Sequence, residues 1–203
     1  MRVLPILFNT AMVRAIIAKE KTVTRRLPSS FVHTRYDELC EEAGAVGLPC
    51  ATEREFYEQY PPFEVNDVLY VRETWAKCQN AESYIYKADF DGYAAEVFLP
   101  GMKWHPSIHM PKEATRIWLR VTSIRLERLQ SITNDDCIME GAVKRPHRTK
   151  RGDIVLHDRY KNDFGELWDS TLKLLQREWY GWAANPLVWR IEFERCEKPE
   201  VAT

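Results

Sequence analysis

The sequence predicts an α+β fold, a small mixed β-barrel of about five to seven strands decorated by several helices. Three observations point to it. Short runs rich in β-branched and aromatic residues outnumber the segments of helical period. The connections between those runs are too irregular for repeated βαβ units. Apolar residues make up 45% of the chain, and 7 Trp, 9 Tyr and 8 Phe can fill a core.

Taken in order, Leu4 to Phe8 reads as a buried strand. Asn9 or Thr10 can cap a helix whose Met12, Val13, Ile16 and Ile17 share one face, ending near Lys19-Glu20. Lys21 to Arg26 follows as a strand. Residues 27–65 are polar and irregular, with Pro28, a Gly44 to Pro49 turn and Pro61-Pro62, and read as an insertion with one or two short helices. Val68 to Trp75 and Ser83 to Lys87 have strand composition. From Arg116 to Leu126 the chain alternates, with Ile117, Leu119 and Val121 inward and Arg116, Arg120 and Thr122 outward. Thr133 to Asp136 opens a short helix that Gly141 stops. Asp163 to Glu178 carries apolar residues at helical spacing, and its Trp168, Leu172 and Leu175 read as core. Asn185-Pro186 is a turn, and Val188 to Phe193 closes the chain's last strand.

At 203 residues the chain suits one domain, 1–203, with 27–65 as its insertion. A net charge of −1 excludes a global field that would draw it to nucleic acid or membrane, so polyanion binding needs a local patch. The five cysteines are odd in number and lack CxxC spacing, which argues for reduced thiols rather than a disulfide framework or a zinc site. No apolar run approaches ~18 residues, and the start is too short and too soon polar for a signal peptide. The expectation is a cytoplasmic monomer without a membrane partner.

The candidate site begins at Lys21-Thr22-Val23-Thr24-Arg25-Arg26. Strand alternation puts Lys21 and Arg25 on one face with Val23, and Thr24 and Arg26 on the other. Such a cluster of charge is costly to bury without partners. Arg72 and Glu73 alternate faces beside Trp75, so one of them points into the barrel mouth, or the two belong to structural ion pairs. Trp75 and Trp104 can stack on a base, or pack in the core. Ser107 and His109 alternate in a proline-bracketed segment, as an extended loop presenting both to one side. His105 and His109 stand four apart, but Pro106 prevents the helix that would make them a metal pair, so neither metal nor other cofactor is expected. Lys144, Arg145, Arg148, Lys150 and Arg151 form a basic loop, either solvated or able to touch RNA phosphates.

Read in sequence order, the first helix, Lys21 to Arg26, Asn66 to Trp75, the Thr133 to Gly141 helix and Trp189 to Phe193 resemble the ASCH family, whose fold is a PUA-like β-barrel. The family's G-x-K-x-x-[ET]-x-R motif reads here Lys19-Glu20-Lys21-Thr22-Val23-Thr24-Arg25-Arg26. With Arg72 to Trp75 and Pro106 to Pro111, the chain looks like the longer ASCH proteins of phages and prophages. Two positions depart from the pattern. The motif glycine is Lys19, and the glycine usual before Asp67 is Asn66. If the turn needs a positive φ, Lys19 costs about 1 kcal/mol there, while Asn tolerates it.

Small bacterial members of that kind are amidohydrolases that remove the acetyl group of N4-acetylcytidine. The resemblance implies catalytic roles for Lys21, Thr24 and Glu140, with Arg26, Arg72, Glu73, Trp75, Ser107 and His109 as substrate-binding candidates. A modified nucleoside or RNA is then the expected partner. Two other functions fit the same resemblance: an RNA-binding module without chemistry, and a ribonuclease.

Overall fold

The computed structural model describes residues 1–77, 83–90, 102–141, 146–148, 154–156 and 160–200, the segments 146–148 and 154–156 by their backbone. The expected α+β class is what forms. Among the described residues, five strands make one mixed sheet in the order β1 (Val3–Leu7), β3 (Val68–Arg72), β6 (Trp118–Arg128), β9 (Leu187–Cys196) and β2 (Val23–Arg26), and two further strand pairs form sheets of their own. Among the described residues no helix is long and apolar enough to cross a membrane. The chain divides into two compact units: Met1–Thr22, Val65–Thr122 and Phe193–Thr203 in the first, Val23–Glu64 and Ser123–Glu192 in the second.

In the first unit, β1 (Val3–Leu7) runs parallel to β3 (Val68–Arg72), in register from Val3 opposite Val68 to Leu7 opposite Arg72. Pro5 lacks an N–H, and β1 lies at the edge of the sheet, where that donor is not needed. On the other side of β3 lies the start of β6 (Trp118–Arg128), antiparallel, with Leu69 opposite Leu119. The alternation read from the sequence is observed: Ile117, Leu119 and Val121 are buried, and Arg120 and Thr122 are exposed. Helix α1 (Thr10–Ile17) is capped by the Asn9 side chain, which accepts from the Met12 N–H at 2.9 Å. It buries Val13, Ala15 and Ile16, but Ile17 is 40% exposed, so the apolar face is one residue narrower than expected. Buried Asp67 accepts from the Arg2 N–H at 2.8 Å and from the Arg2 guanidinium at 2.6 and 2.9 Å, tying the chain start to β3. The expected strand through Trp75 breaks after Arg72, and β4 (Trp75–Lys77) pairs instead with β5 (Tyr84–Tyr86).

The second unit holds β2 (Val23–Arg26), antiparallel to β9 (Leu187–Cys196) with Arg25 opposite Arg190. Residues 27–65 are more ordered than an irregular insertion. They form a 16-residue helix α2 (Ser30–Ala45), capped by Ser29, and a short α3 (Glu53–Tyr57) with a Thr52–Glu55 capping box. Helix α2 buries little beyond Val32, so it has no apolar stripe to read in advance. The reduced-thiol expectation fails here: Cys40 and Cys50 form a disulfide. The chain reverses after α2 through Gly47, whose φ of 71° is left-handed, and that reversal brings the two Cα atoms to 5.1 Å. Cys137 and Cys196 are free, and Cys78 lies outside the described residues.

Helix α4 (Asn134–Met139) starts in a Thr133–Asp136 capping box, and the chain leaves it through Gly141 at φ 87°, as expected. Strands β7 (Pro146–Arg148) and β8 (Ile154–Leu156) pair antiparallel. Helix α5 (Tyr160–Ser170) ends earlier than the spacing suggested, with the Thr171 hydroxyl donating back to the Trp168 carbonyl at 2.7 Å. A 3-10 turn and α6 (Arg177–Tyr180) follow. Leu175 is therefore not core; it is 88% exposed, because the chain has left the helical register that would have buried it. Trp168 does join the core, with Leu129, Ile132, Phe164 and Val188, and Leu172 packs against it.

Candidate functional site

In the first unit, the turn after α1 is the one the motif glycine would serve. Lys19 has φ 63°, and the N–H groups of Glu20 and Lys21 both donate to the Ala15 carbonyl, at 2.9 and 3.1 Å. Asn66, the second departure from the pattern, has φ 72°. Both positions are left-handed, so the strain expected of Lys19 is present. The turn delivers Lys21 inward. Its side chain is 2% exposed, with Nζ 5.6 Å from the centroid of the Phe8 ring.

Also in this unit, Arg72 is turned to the chain itself. Its guanidinium donates to the Met110 carbonyl at 3.0 Å and to the Ile108 carbonyl, holding the 107–110 segment. That segment is a 3-10 turn, Ser107–His109, rather than an extended loop, with the His109 and Met110 N–H groups closing back on Pro106 and Ser107. Ile108 and His109 are exposed, and Ser107 is half-buried. Glu73 is buried and takes both oxygens to Arg116, at 2.9 and 3.0 Å. Burial raises its carboxyl above the ordinary range, against the pull of the Arg116 hydrogen bonds. Arg116 also reaches Asp89 at 2.8 Å and lies 3.9 Å over the Tyr86 ring. Read as an outward residue of an alternating strand, Arg116 is in fact the hub of this ion pair. Trp75 stacks on His105 with centroids 4.9 Å apart, which gives that ring face a partner inside the protein.

In the second unit, Thr24 and Arg25 are buried and Arg26 is half-buried. Cross-strand pairing puts Arg25 and Arg190 side by side, two guanidinium groups that repel. Helix α4 and its C-terminal residue resolve the conflict. Asp136 and Glu140 are four apart, so they project from one helical face. Asp136 accepts from Arg25 Nη2 at 3.1 Å through Oδ2 and from Arg190 Nη2 at 2.8 Å through Oδ1. Glu140 accepts from Arg25 Nη1 at 3.2 Å, and Glu127 from Arg25 Nε at 2.9 Å. Burial opposes charge on Asp136, yet the Arg190 hydrogen bonds, the Thr133 N–H and the two guanidinium charges bring its carboxyl down to about 2. For Arg26, burial lowers the pKa of the guanidinium while the Glu140 charge works the other way. Burial also raises the Cys137 thiol to about 11, so this cysteine is chemically quiet.

Within this unit, then, Glu140 meets Arg25 directly and Arg26 through its field. Arg25 is part of the charged hexapeptide read from the sequence, while Arg190, Asp136 and Glu127 are members that sequence reasoning missed. The available signal was the cationic hexapeptide itself, which is costly to bury without acidic partners. Arg148 belongs to β7, and Lys144, Arg145, Lys150 and Arg151 of the basic loop lie outside the described residues. Among the described residues, no group of three or more His, Cys, Asp or Glu side chains could hold a metal ion.

No protein-family model matches the chain, and no curated protein matches it. Among solved structures, it is similar to an ASCH domain from Lactobacillus crispatus at 9% identity and a TM-score of 0.38, covering 96% of this chain and 79% of that one.

Proposed function

We propose that this chain is an ASCH-type protein of PUA-like fold that acts on a modified nucleoside or RNA base, and that its reaction is hydrolysis of the acetyl amide of N4-acetylcytidine. The observation that carries the reading is the motif turn. Left-handed backbone stands at Lys19, where the family motif has glycine, and the lysine two residues on is buried. A lysine only 2% exposed is rare unless it has a task or a full set of partners.

The ASCH resemblance implies the roles. The Thr24 hydroxyl, or a water it orients, adds to the acetyl carbonyl as the Lys21 amine accepts its proton. Arg26, permanently charged, suits the oxyanion that develops. Glu140 shuttles that proton to the exocyclic nitrogen as the C–N bond breaks, and where Thr24 is the nucleophile water then cleaves its acetyl ester, leaving acetate and cytidine. No step uses a metal.

The test is acetate release from N4-acetylcytidine and from acetylated RNA. Turnover by the wild-type chain, reduced at least ~100-fold in Lys21→Met, Thr24→Val and Glu140→Gln, is expected. Absence of turnover on both substrates contradicts the amidohydrolase and leaves the chain as a binding module.

A further inference from the structure

The second unit contains a cleft of about 540 Å³ that the proposed reaction does not use. Tyr57, 2% exposed, lies deepest among its lining residues, Tyr36 and Tyr180 are half-buried, and Trp179 is 69% exposed. The rings are already ordered against one another. His33 lies 5.1 Å from Tyr57 and 4.9 Å from Tyr180 between centroids, and Tyr36 lies 5.7 Å from Tyr57. The Tyr57 hydroxyl shares a hydrogen with His33 Nδ1.

Its charge is of one sign. Asp37 and Glu53 line the cleft, and none of the lining residues is Lys or Arg. Glu53 also faces Arg128, at 3.5 Å, from outside the lining. The field of the two carboxylates reaches the rings: after burial, it is what raises the Tyr36, Tyr57 and Tyr180 hydroxyls and opposes the lowering of His33. An anionic phosphate is disfavoured in such a place, which argues against a nucleotide. Glu53 is engaged by Arg128 and by the Tyr57 hydroxyl, and a neutral ligand would leave the Asp37 carboxylate unused. Aromatic faces attract a cation through their quadrupoles, and an alkylated ammonium keeps much of that attraction because it is weakly hydrated. The volume suits a small molecule or one side chain.

We infer that the cleft walled by Tyr36, Tyr57, Trp179 and Tyr180, with Asp37 and Glu53 at hand, is a binding site for an alkylated ammonium group. The disulfide is part of its construction. It ties Cys40 of α2, the helix that carries His33, Tyr36 and Asp37, to Cys50 in the segment leading into α3, which carries Glu53 and Tyr57.

The experiment is a nuclear magnetic resonance titration of the full chain, following the indole N–H signal of Trp179, assigned by its loss in Trp179→Ala. The probes are choline, its neutral carbon isostere 3,3-dimethylbutan-1-ol, and a short peptide carrying trimethyllysine. Choline is expected to shift the signal saturably, and the isostere to bind at least tenfold more weakly. Asp37→Asn, an exposed substitution that should leave folding intact, is expected to weaken choline at least tenfold while sparing the isostere. Tighter binding of the peptide than of choline supports the site with a protein source for the ammonium, and the reverse ranking supports a small-molecule source. Equal affinity for choline and its isostere, no saturable shift with either cation, or choline binding indifferent to Asp37→Asn overturns the inference.

Discussion

Two acid-rich regions of the second unit are built on opposite terms. Around Arg25, the carboxylates of Asp136, Glu140 and Glu127 sit within 3.2 Å of guanidinium nitrogens. In the cleft, Asp37 and Glu53 share their surroundings with phenol, indole and imidazole rings. The same charge thus serves two ends. A buried carboxylate matched to an arginine is compensated within the fold, and removing either partner leaves an uncompensated ion. A carboxylate beside aromatic faces acts on whatever enters.

Arg25→Leu tests the first half of that comparison with the largest effect. It takes one guanidinium away from three carboxylates, of which Asp136 keeps Arg190 and Glu127 keeps Arg125, and the expected loss is about 3 kcal/mol in urea unfolding. Asp37→Asn, by contrast, is expected to change stability by less than about 0.5 kcal/mol. A mild Arg25→Leu would mean that the cluster is not structural and would blur the distinction. Next in size is the disulfide. Replacing Cys40 and Cys50 by Ser is expected to cost up to about 3 kcal/mol, the scale for so short a loop, and to weaken choline binding in the cleft.

Acid then separates the two regions without mutation. The Asp136 carboxyl is held at about 2 in the folded chain, below its ordinary value of 3.8. A lowered folded value means that the stabilisation is present above the ordinary value and is lost as pH falls through the folded one. Unfolding measured between about pH 4 and pH 2 should therefore show a steep loss of stability that Asp136→Asn flattens and Asp37→Asn leaves in place. The smallest effect concerns the turn before Lys21. Lys19→Gly is expected to stabilise the chain by about 0.5–1 kcal/mol, since glycine accepts φ 63° without the penalty that lysine carries. A loss of stability on that change would mean that the Lys19 side chain makes up for its strain.

What could be read in advance was local. The Asn9 cap, the alternation before Val121 and the Thr133 capping box all depend on neighbours within a few residues, whereas the left-handed backbone at 19 and 66 is implied only by the glycines of the family pattern. What could not be read was long in sequence or silent in pattern. Arg25 finds Asp136 at a separation of 111 residues, and nothing near Arg25 announces it. Helix α2 buries little besides Val32, so no stripe marks it. Its disulfide joins cysteines ten apart, a spacing that means nothing until the Gly47 reversal is seen. The end of α5 was missed because apolar spacing continues through Leu175 after the helix has stopped. Of the proposed catalytic set, the sequence motif names Lys21 and Thr24, while Glu140 rests on the short helix whose capping the structure places where expected.

The most direct measurement compares acetate release from N4-acetylcytidine by the wild-type chain and by Thr24→Val, each alongside its urea midpoint. Turnover is expected to fall at least ~100-fold while the midpoint stays close to wild type. No release by the wild type, or a Thr24→Val chain as active as wild type, would contradict it.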